Sequence, residues 1–245
     1  MPRPAANTPV LCIDIGGSHV KAAIVAPDGT MRGEAVRVET PVGAGPEALV
    51  DAIATLVAPL ESAPRVAVGF PGALRDDMVL TAPNLGGVEW HRVPLSALLA
   101  QRLGRPVRIA NDAAVQGLGA IAGRGLECAI TLGTGMGFAV FRDGEASVQF
   151  ELGQHIAHKR KSYDRYVGDA ALAKVGRTRW NRRVQKAIIQ IRALVHFDLL
   201  YIGGGNARHV DFPLPLDLHL VSNETGILGG VRLWNGFPPT TKSPA

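Results

Sequence analysis

The stretch VLCIDIGGSHVKAAIV, Val10 to Val25, joins two apolar runs through Gly16 and Gly17 and carries one carboxylate, Asp14, inside the first run. Short apolar runs bounded by glycine read as strands, with the glycine pair as the turn between them. The second run ends at a Pro-Asp-Gly turn, Pro27 to Gly29, and GEAVRVET (Gly33 to Thr40) completes an antiparallel meander. A turn of small residues after a strand leaves backbone N–H groups free, and such nests attract phosphate oxygens. A carboxylate is costly to bury alone, so Asp14 has to meet a donor, a cation or solvent. Two readings stay open. Asp14 either bonds to the amides of its own turn or holds, through water, a Mg²⁺ bound to phosphate.

The same pattern of strand then glycine recurs at ITLGTGMGFA (Ile130 to Ala139) and at LLYIGGGNAR (Leu199 to Arg208). None of the three turns has the spacing of a P-loop or of a dinucleotide fingerprint. The first two, one on each half, point to a ligand gripped between two lobes, and a third in the same chain makes the pattern hard to dismiss. Around them, GPEALVDAIATLVAPLES (Gly45 to Ser62) has helical apolar spacing, RVAVGFPG (Arg65 to Gly72) reads as a strand, and PLSALLAQRLG (Pro94 to Gly104) as a helix closed by glycine. RPVRIAND (Arg105 to Asp112) is a strand that delivers Asn111 and Asp112 at its carboxyl end, ahead of the small-residue helix AAVQGLGAIAG. A carboxylate at a strand end and helix start is held ionised by the helix dipole and can accept a proton. The sequence NDAA also suits a plain helix N-cap at Asp112. ETGILGGVRLW, Glu224 to Trp234, reads as a closing helix.

With 245 residues, 47% hydrophobic and 19% charged, the chain is long enough for one large domain or two lobes and has the balance of a globular protein. No apolar run reaches the length needed to cross a bilayer, and MPRPAANTPV lacks the apolar core of a signal peptide. Cys12 and Cys128 lie inside apolar runs and no cysteine pair has zinc spacing, so both are expected as reduced core residues of a cytoplasmic protein without zinc.

Five motifs, LCIDIGGSHVKAAIV, GFPGALRDDMVLTAPNL, VRIANDAAVQGLGA, ITLGTGMGFAVF and LLYIGGGNAR, occur in the order found in the ROK sugar kinases of the actin-like ATPase superfamily, and the chain resembles the polyphosphate glucokinase branch over about residues 10–235. The resemblance implies an α/β fold of two ribonuclease-H-like lobes, with mixed sheets flanked by helices. The N-terminal lobe would span 1–110 and the C-terminal lobe 111–223, with a helix at about 224–236 packing back on the first lobe. It implies a first phosphate loop at Gly16, Gly17, Ser18 and Lys21, and a second at Gly133, Thr134 and Gly135. Gly203, Gly204 and Gly205 would contact nucleotide or the distal end of the donor. It makes Asp112 the catalytic base and Asp14 the Mg²⁺ residue, and it places Asn84, Asn111 and Glu151 on the sugar hydroxyls.

Here the chain departs from the family, because its E-x-G-H segment reads ELGQH. Gln154 stands where the histidine belongs, and His155 one place later either takes over its role or is plain surface. Ala114 stands where the branch often has an acid, and the family's cysteine-rich zinc element is absent. The implied reaction moves a phosphoryl group from polyphosphate, ATP or both to a hexose hydroxyl, glucose to glucose 6-phosphate first among them. A homodimer is a further expectation, and membrane is not a partner. The alternative is a catalytically weak sugar- or anion-binding protein on the same scaffold.

One feature lies outside the motifs. Lys159 to Lys186 holds ten Lys and Arg against two acids, Asp164 and Asp169, so the rest of the chain is slightly acidic despite the net charge of +5. Within it, GRTRWNRRVQK sets Arg179, Arg182, Arg183 and Lys186 around Trp180 with no acid. A solvated helix face usually mixes signs, and this one does not. Nucleic acid is a second reading, but no recognised nucleic-acid module surrounds the charges. The third is a phosphate chain bound by counterion release, as polycations bind nucleic-acid backbones. That reading makes these four residues a polyphosphate site beside the transfer cleft.

Overall fold

A computed structural model describes residues 8–41, 43, 45–222 and 225–236. The meander is β1 (Val10–Ile15), β2 (His19–Val25) and β3 (Met31–Glu39), followed by α1 (Gly45–Val57) and β4 (Arg65–Phe70). A small hairpin, β5 (Leu74–Arg75) and β6 (Met78–Val79), precedes α2 (Leu95–Leu103), β7 (Val107–Asn111) and α3 (Asp112–Ala120). The second half opens with β8 (Leu126–Leu132), β9 (Met136–Arg142) and β10 (Glu145–Ala146). A hairpin, β11 (Ile156–His158) and β12 (Lys161–Ser162), leads into α4 (Tyr163–Val167) and α5 (Asp169–Val195). β13 (Leu199–Gly203), β14 (Leu218–Leu220) and α6 (Thr225–Asn235) close the described chain.

The two halves repeat one topology. Each carries a five-stranded sheet, ordered β3-β2-β1-β4-β7 in the first and β10-β9-β8-β13-β14 in the second. In both, the leading strands pair antiparallel and the later ones add in parallel. This is the mixed, helix-flanked architecture of an actin-like ATPase. The interior strand β4 is buried at every residue, as expected of a strand covered on both faces. β3 forms an exposed edge and carries Arg32, Glu34, Arg37 and Glu39, charges that discourage pairing with another chain. α2 stops at Gly104, which takes the left-handed conformation (φ 66°) that ends a helix without Cβ strain.

The last helix of each half covers the other half's sheet. α3 follows β7 of the first sheet, yet Ala113, Leu118 and Ile121 pack with Ala129, Ala139, Phe141 and Tyr201 of the second. α6 follows the second sheet, yet Val231 packs with Val10, Cys12, Val25 and Ala67 of the first. The two helices also lie against each other, and a Gly-Gly pair makes that approach possible. A Cβ on Gly229 would overlap the carbonyl of Val115 in α3, and one on Gly230 would press to 2.5 Å from Cys12 Sγ. Cys12 and Cys128 are both buried and unpaired, and burial pushes each thiol up to about 12.

α5 is two helical pieces in series. Gly176 interrupts it with φ 75° and ψ 161°, a conformation reserved for glycine. Beyond the break, Trp180, Val184, Ala187, Ile188 and Ile191 face the core, and the Trp180 indole donates to the Val167 carbonyl at 2.7 Å. Among the described residues no helix is long and apolar enough to cross a membrane.

Candidate active site

Both sheets present the carboxyl ends of their parallel strands to one cleft of about 360 Å³ between the halves. The turns after β1, β8 and β13 all reach it, so the three glycine segments meet in one place. Asp14, Gly16, Gly17 and Lys21 line it from the first half, and Gly133, Thr134, Gly135, Gly204 and Gly205 from the second. Asn84, Asn111, Asp112 and Glu151 line it as well. Ser18 and Gly203 flank the lining without joining it, and His155 is exposed outside it. The lining residues that sequence reading did not single out for a role include Gln116, Thr131, Phe138, Phe150, Gln154 and Asp164.

The capping role open to Asp112 is taken by its neighbour. Asn111 is the N-cap of α3, its Oδ1 accepting from the N–H groups of Ala113 at 3.0 Å and Ala114 at 3.4 Å. Asp112 is therefore the first helical residue, and its carboxylate accepts from the Ala113 N–H at 2.8 Å. The rest of that carboxylate faces the cleft. Enclosure by protein pushes its pKa up to about 7, and the nearby carboxylates of Asp14 and Glu151 add to the rise while backbone N–H bonds oppose it. Asp14 is raised too, chiefly by burial, against the pull of Lys21, its cross-strand partner. The Asp14 carboxylate accepts no hydrogen bond from the described residues, so the reading in which it bonds to its own turn does not hold. The turn is closed instead by Gly16 N–H to His19 O (2.9 Å) and Thr40 Oγ1 to Gly16 O (2.7 Å).

A chain of amides ties the acceptor side together. Gln149, after β10, donates to the Gly72 carbonyl at 2.9 Å and to Glu151 at 2.6 Å, and accepts from Leu74 N–H at 3.0 Å. Asn111 Nδ2 donates to the same Gly72 carbonyl at 3.2 Å. One glutamine thus orients Glu151 of the second half against the loop and cap of the first. Nothing in the sequence around Gln149 marks it, because its backbone partners, Leu74 and Gly72, lie 75 and 77 residues away. Gln154, at the position of the motif histidine, donates to Asp164 Oδ2 at 2.6 Å, while Asp164 Oδ1 accepts from Met136 N–H at 2.7 Å. A carboxylate only accepts, so Gln154 must turn its carbonyl oxygen away from Asp164.

The second glycine loop is held from below. Asp169 N–H and Asn206 Nδ2 both donate to the Gly133 carbonyl, at 2.9 Å and 3.4 Å, and Asn206 also donates to Asp169 at 2.5 Å. Gly204 has φ 84° and lies so close to Leu132 that a Cβ would fall 2.4 Å from its carbonyl oxygen. Gly204→Ala is expected to cost about 2 kcal/mol or more of stability, from left-handed strain and overpacking together. Chemical denaturation checks this, and an alanine variant as stable as wild type would refute it.

The ROK family profile matches residues 10–158. The chain is 31% identical over 213 residues to the polyphosphate glucokinase of Mycobacterium tuberculosis (strain CDC 1551 / Oshkosh), covering 83% of this chain and 80% of that protein. The chain belongs to the ROK family. It is also similar to the crystal structure of inorganic polyphosphate/ATP-glucomannokinase from Arthrobacter sp. strain KM, with TM-score 0.82 and 32% identity over 93% of this chain and 98% of that one. A ROK family glucokinase from Streptomyces griseus, solved with glucose and AMPPNP, shares the fold at TM-score 0.73 and 21% identity, over 92% of this chain and 98% of that one.

Within this ROK chain the four basic residues of α5 stand apart from the cleft lining. Arg179, Arg182, Arg183 and Lys186 follow the spacing of one helical stripe, opposite the Trp180 and Val184 face. Arg183 lies over the Tyr166 ring and donates to the Tyr166 carbonyl, while the other three are exposed. The two acids of the basic stretch are both turned to the second glycine loop, Asp164 through Met136 and Asp169 through Gly133 and Asn206. Among the described residues no acid pairs with the stripe, and that is why its charge stays available.

No group of three or more His, Cys, Asp or Glu among the described residues forms a metal cage. Asp14 nevertheless fits Mg²⁺, which is commonly held by one or two carboxylates together with substrate phosphates and water. A carboxylate without a donor, beside two glycine loops, offers that single protein oxygen.

Proposed function

We propose that this protein transfers a phosphoryl group from polyphosphate, ATP or both to a hexose hydroxyl, with glucose to glucose 6-phosphate as the reaction. The observation that carries the reading is Asp112. Its carboxylate is relieved of capping by Asn111, faces the cleft, and is raised to about 7, the range suited to a general base at neutral pH. Family membership supports a sugar kinase, and the relatives from Mycobacterium tuberculosis and Arthrobacter are named for polyphosphate and for glucose or glucose and mannose.

The sugar would sit against Asn84, Asn111, Glu151 and the carbonyl of Gln154, groups that pair donors with acceptors as hydroxyls require. Its reacting hydroxyl lies beside Asp112. As that oxygen bonds to phosphorus, its proton passes to the Asp112 carboxylate, and the donor's P–O bond breaks to release ADP or a shortened polyphosphate. The backbone N–H groups of the two phosphate loops hold the donor in line, so most of the rate comes from alignment and charge stabilisation. Asp14 would hold Mg²⁺, which neutralises donor phosphate charge when bound. The unneutralised stripe at Arg179, Arg182, Arg183 and Lys186 favours polyphosphate as a donor, because ATP needs no such row.

A panel of hexoses assayed with ATP and with long-chain polyphosphate, with Mg²⁺ and following sugar phosphate directly, tests the proposal. Glucose with at least one donor should give product, and EDTA should abolish it. Absence of product from every pairing would end the kinase reading. The pH profile adds an independent check. The base must be deprotonated to act, so kcat/KM should fall as pH drops through about 7, the value to which enclosure raises Asp112. A rate still level at pH 5 would remove Asp112 from the role.

A further inference from the structure

We propose that Gln116 is a further catalytic residue of this cleft, donating its side-chain N–H to an oxygen of the phosphoryl group during transfer. The proposal rests on the kinase reading above. Gln116 lies on α3 four residues after Asp112, so the two side chains share one helix face a single turn apart. It lines the cleft together with Thr131, Gly204 and Gly205, on the side where the donor loops converge.

The two ends of its amide have different surroundings. Oε1 is buried without a hydrogen-bond partner, pressed so close to Gly203 that a Cβ there would lie 3.1 Å from it. Nε2 is bonded to none of the described residues and is not among the buried orphaned atoms, so it opens to the cleft. The reversed amide would bury an N–H against Gly203 and turn an oxygen toward a cleft that already holds Asp14, Asp112 and Glu151. The orientation with the N–H outward is the one the local charge favours.

A buried acceptor without a partner lowers stability, and an apolar side chain of the same length would remove that cost. Stability therefore gives no reason for a polar head at this position. The reason lies at the cleft end. During transfer the phosphorus sits beyond the hydroxyl oxygen whose proton Asp112 takes, toward Gly133–Gly135 and Gly204–Gly205. A donor one helical turn past Asp112 meets the equatorial oxygens of that group, where charge gathers in the transition state.

The test is Gln116→Met, which keeps the length and deletes both amide ends. With whichever donor wild type uses, kcat should fall roughly a hundredfold to a thousandfold, the range seen when one transition-state donor is removed. The glucose Kd, measured by calorimetry without donor, should stay within twofold, and the thermal midpoint should be equal or higher. Gln116→Glu gives a second readout. A carboxylate one turn from Asp112 should shift the acidic limb of the pH–rate profile upward, because it disfavours the ionised base. Wild-type kcat and donor KM in the Met variant would overturn the proposal. So would loss of activity accompanied by a lower midpoint and weaker glucose binding, the pattern of a structural residue. Wild type without transfer from any donor would instead defeat the kinase reading, and Gln116 with it.

Discussion

Asp112→Asn should lower turnover by about 10²–10⁴-fold while glucose affinity stays within a few-fold. The substitution keeps the shape and removes the proton acceptor. It leaves the helix cap intact because Asn111 provides it, so a structural explanation for lost activity is not available. Stability should move in the opposite direction. Asp112 has a folded-state pKa of about 7 against an ordinary value of 3.8, so between those values the folded protein binds more protons than the unfolded chain. Wild-type stability is therefore lost as pH rises through that window, because an ionised carboxylate is disfavoured where Asp112 sits. The Asn variant lacks this loss and should melt higher than wild type at pH 8, with the difference shrinking toward pH 4. Turnover within tenfold of wild type, or a variant that melts lower at pH 8, would contradict the assignment.

Replacing Arg179, Arg182 and Arg183 together with Gln should raise the apparent KM for polyphosphate at least tenfold. It should also flatten the slope of log affinity against log salt by about 2, the effect of losing three contacts to a flexible polyanion. Glucose KM and any ATP-dependent rate should change little, since the proposed function seats both ligands in the cleft and none of the three arginines lines it. Arg183 needs a control, because it also packs on Tyr166 and bonds to its carbonyl. The double variant Arg179→Gln/Arg182→Gln touches no such contact and should show a smaller shift in the same direction at unchanged thermal stability. If the triple variant remains folded and uses polyphosphate as wild type does, the stripe serves some other anion, with nucleic acid the next to test.

Much of the architecture was legible because its signals are local. Apolar runs ending in glycine marked β1, β8 and β13, and their shared ending foretold that three turns would meet. Gly104 announced the end of α2. What escaped depended on partners distant in sequence. NDAA could not say which of two adjacent residues caps α3, since both can, and only the fold turned Asn111 to the backbone and left Asp112 to the cleft. Gln149 carries no motif, and its role follows from Gly72 and Leu74 lying opposite. ELGQH showed a displaced histidine but not the outcome, in which Gln154 lines the cleft under the hold of Asp164 and His155 points elsewhere. Asp164 and Asp169 stood in the sequence only as the two acids of the basic run, and that both support a glycine loop depends on partners outside it.

The crossing of α3 and α6 bears on how the chain reaches this state on the ribosome. Residues such as Val10, Cys12 and Ala67 are made well before the helix that covers them, which ends at Asn235. The first half therefore has one apolar sheet face open until α6 has been made. α3 meanwhile is committed to a sheet whose strands follow it. Neither half can finish alone, so folding should close in one cooperative step once α6 is available, with an open apolar face that a chaperone can shield until then.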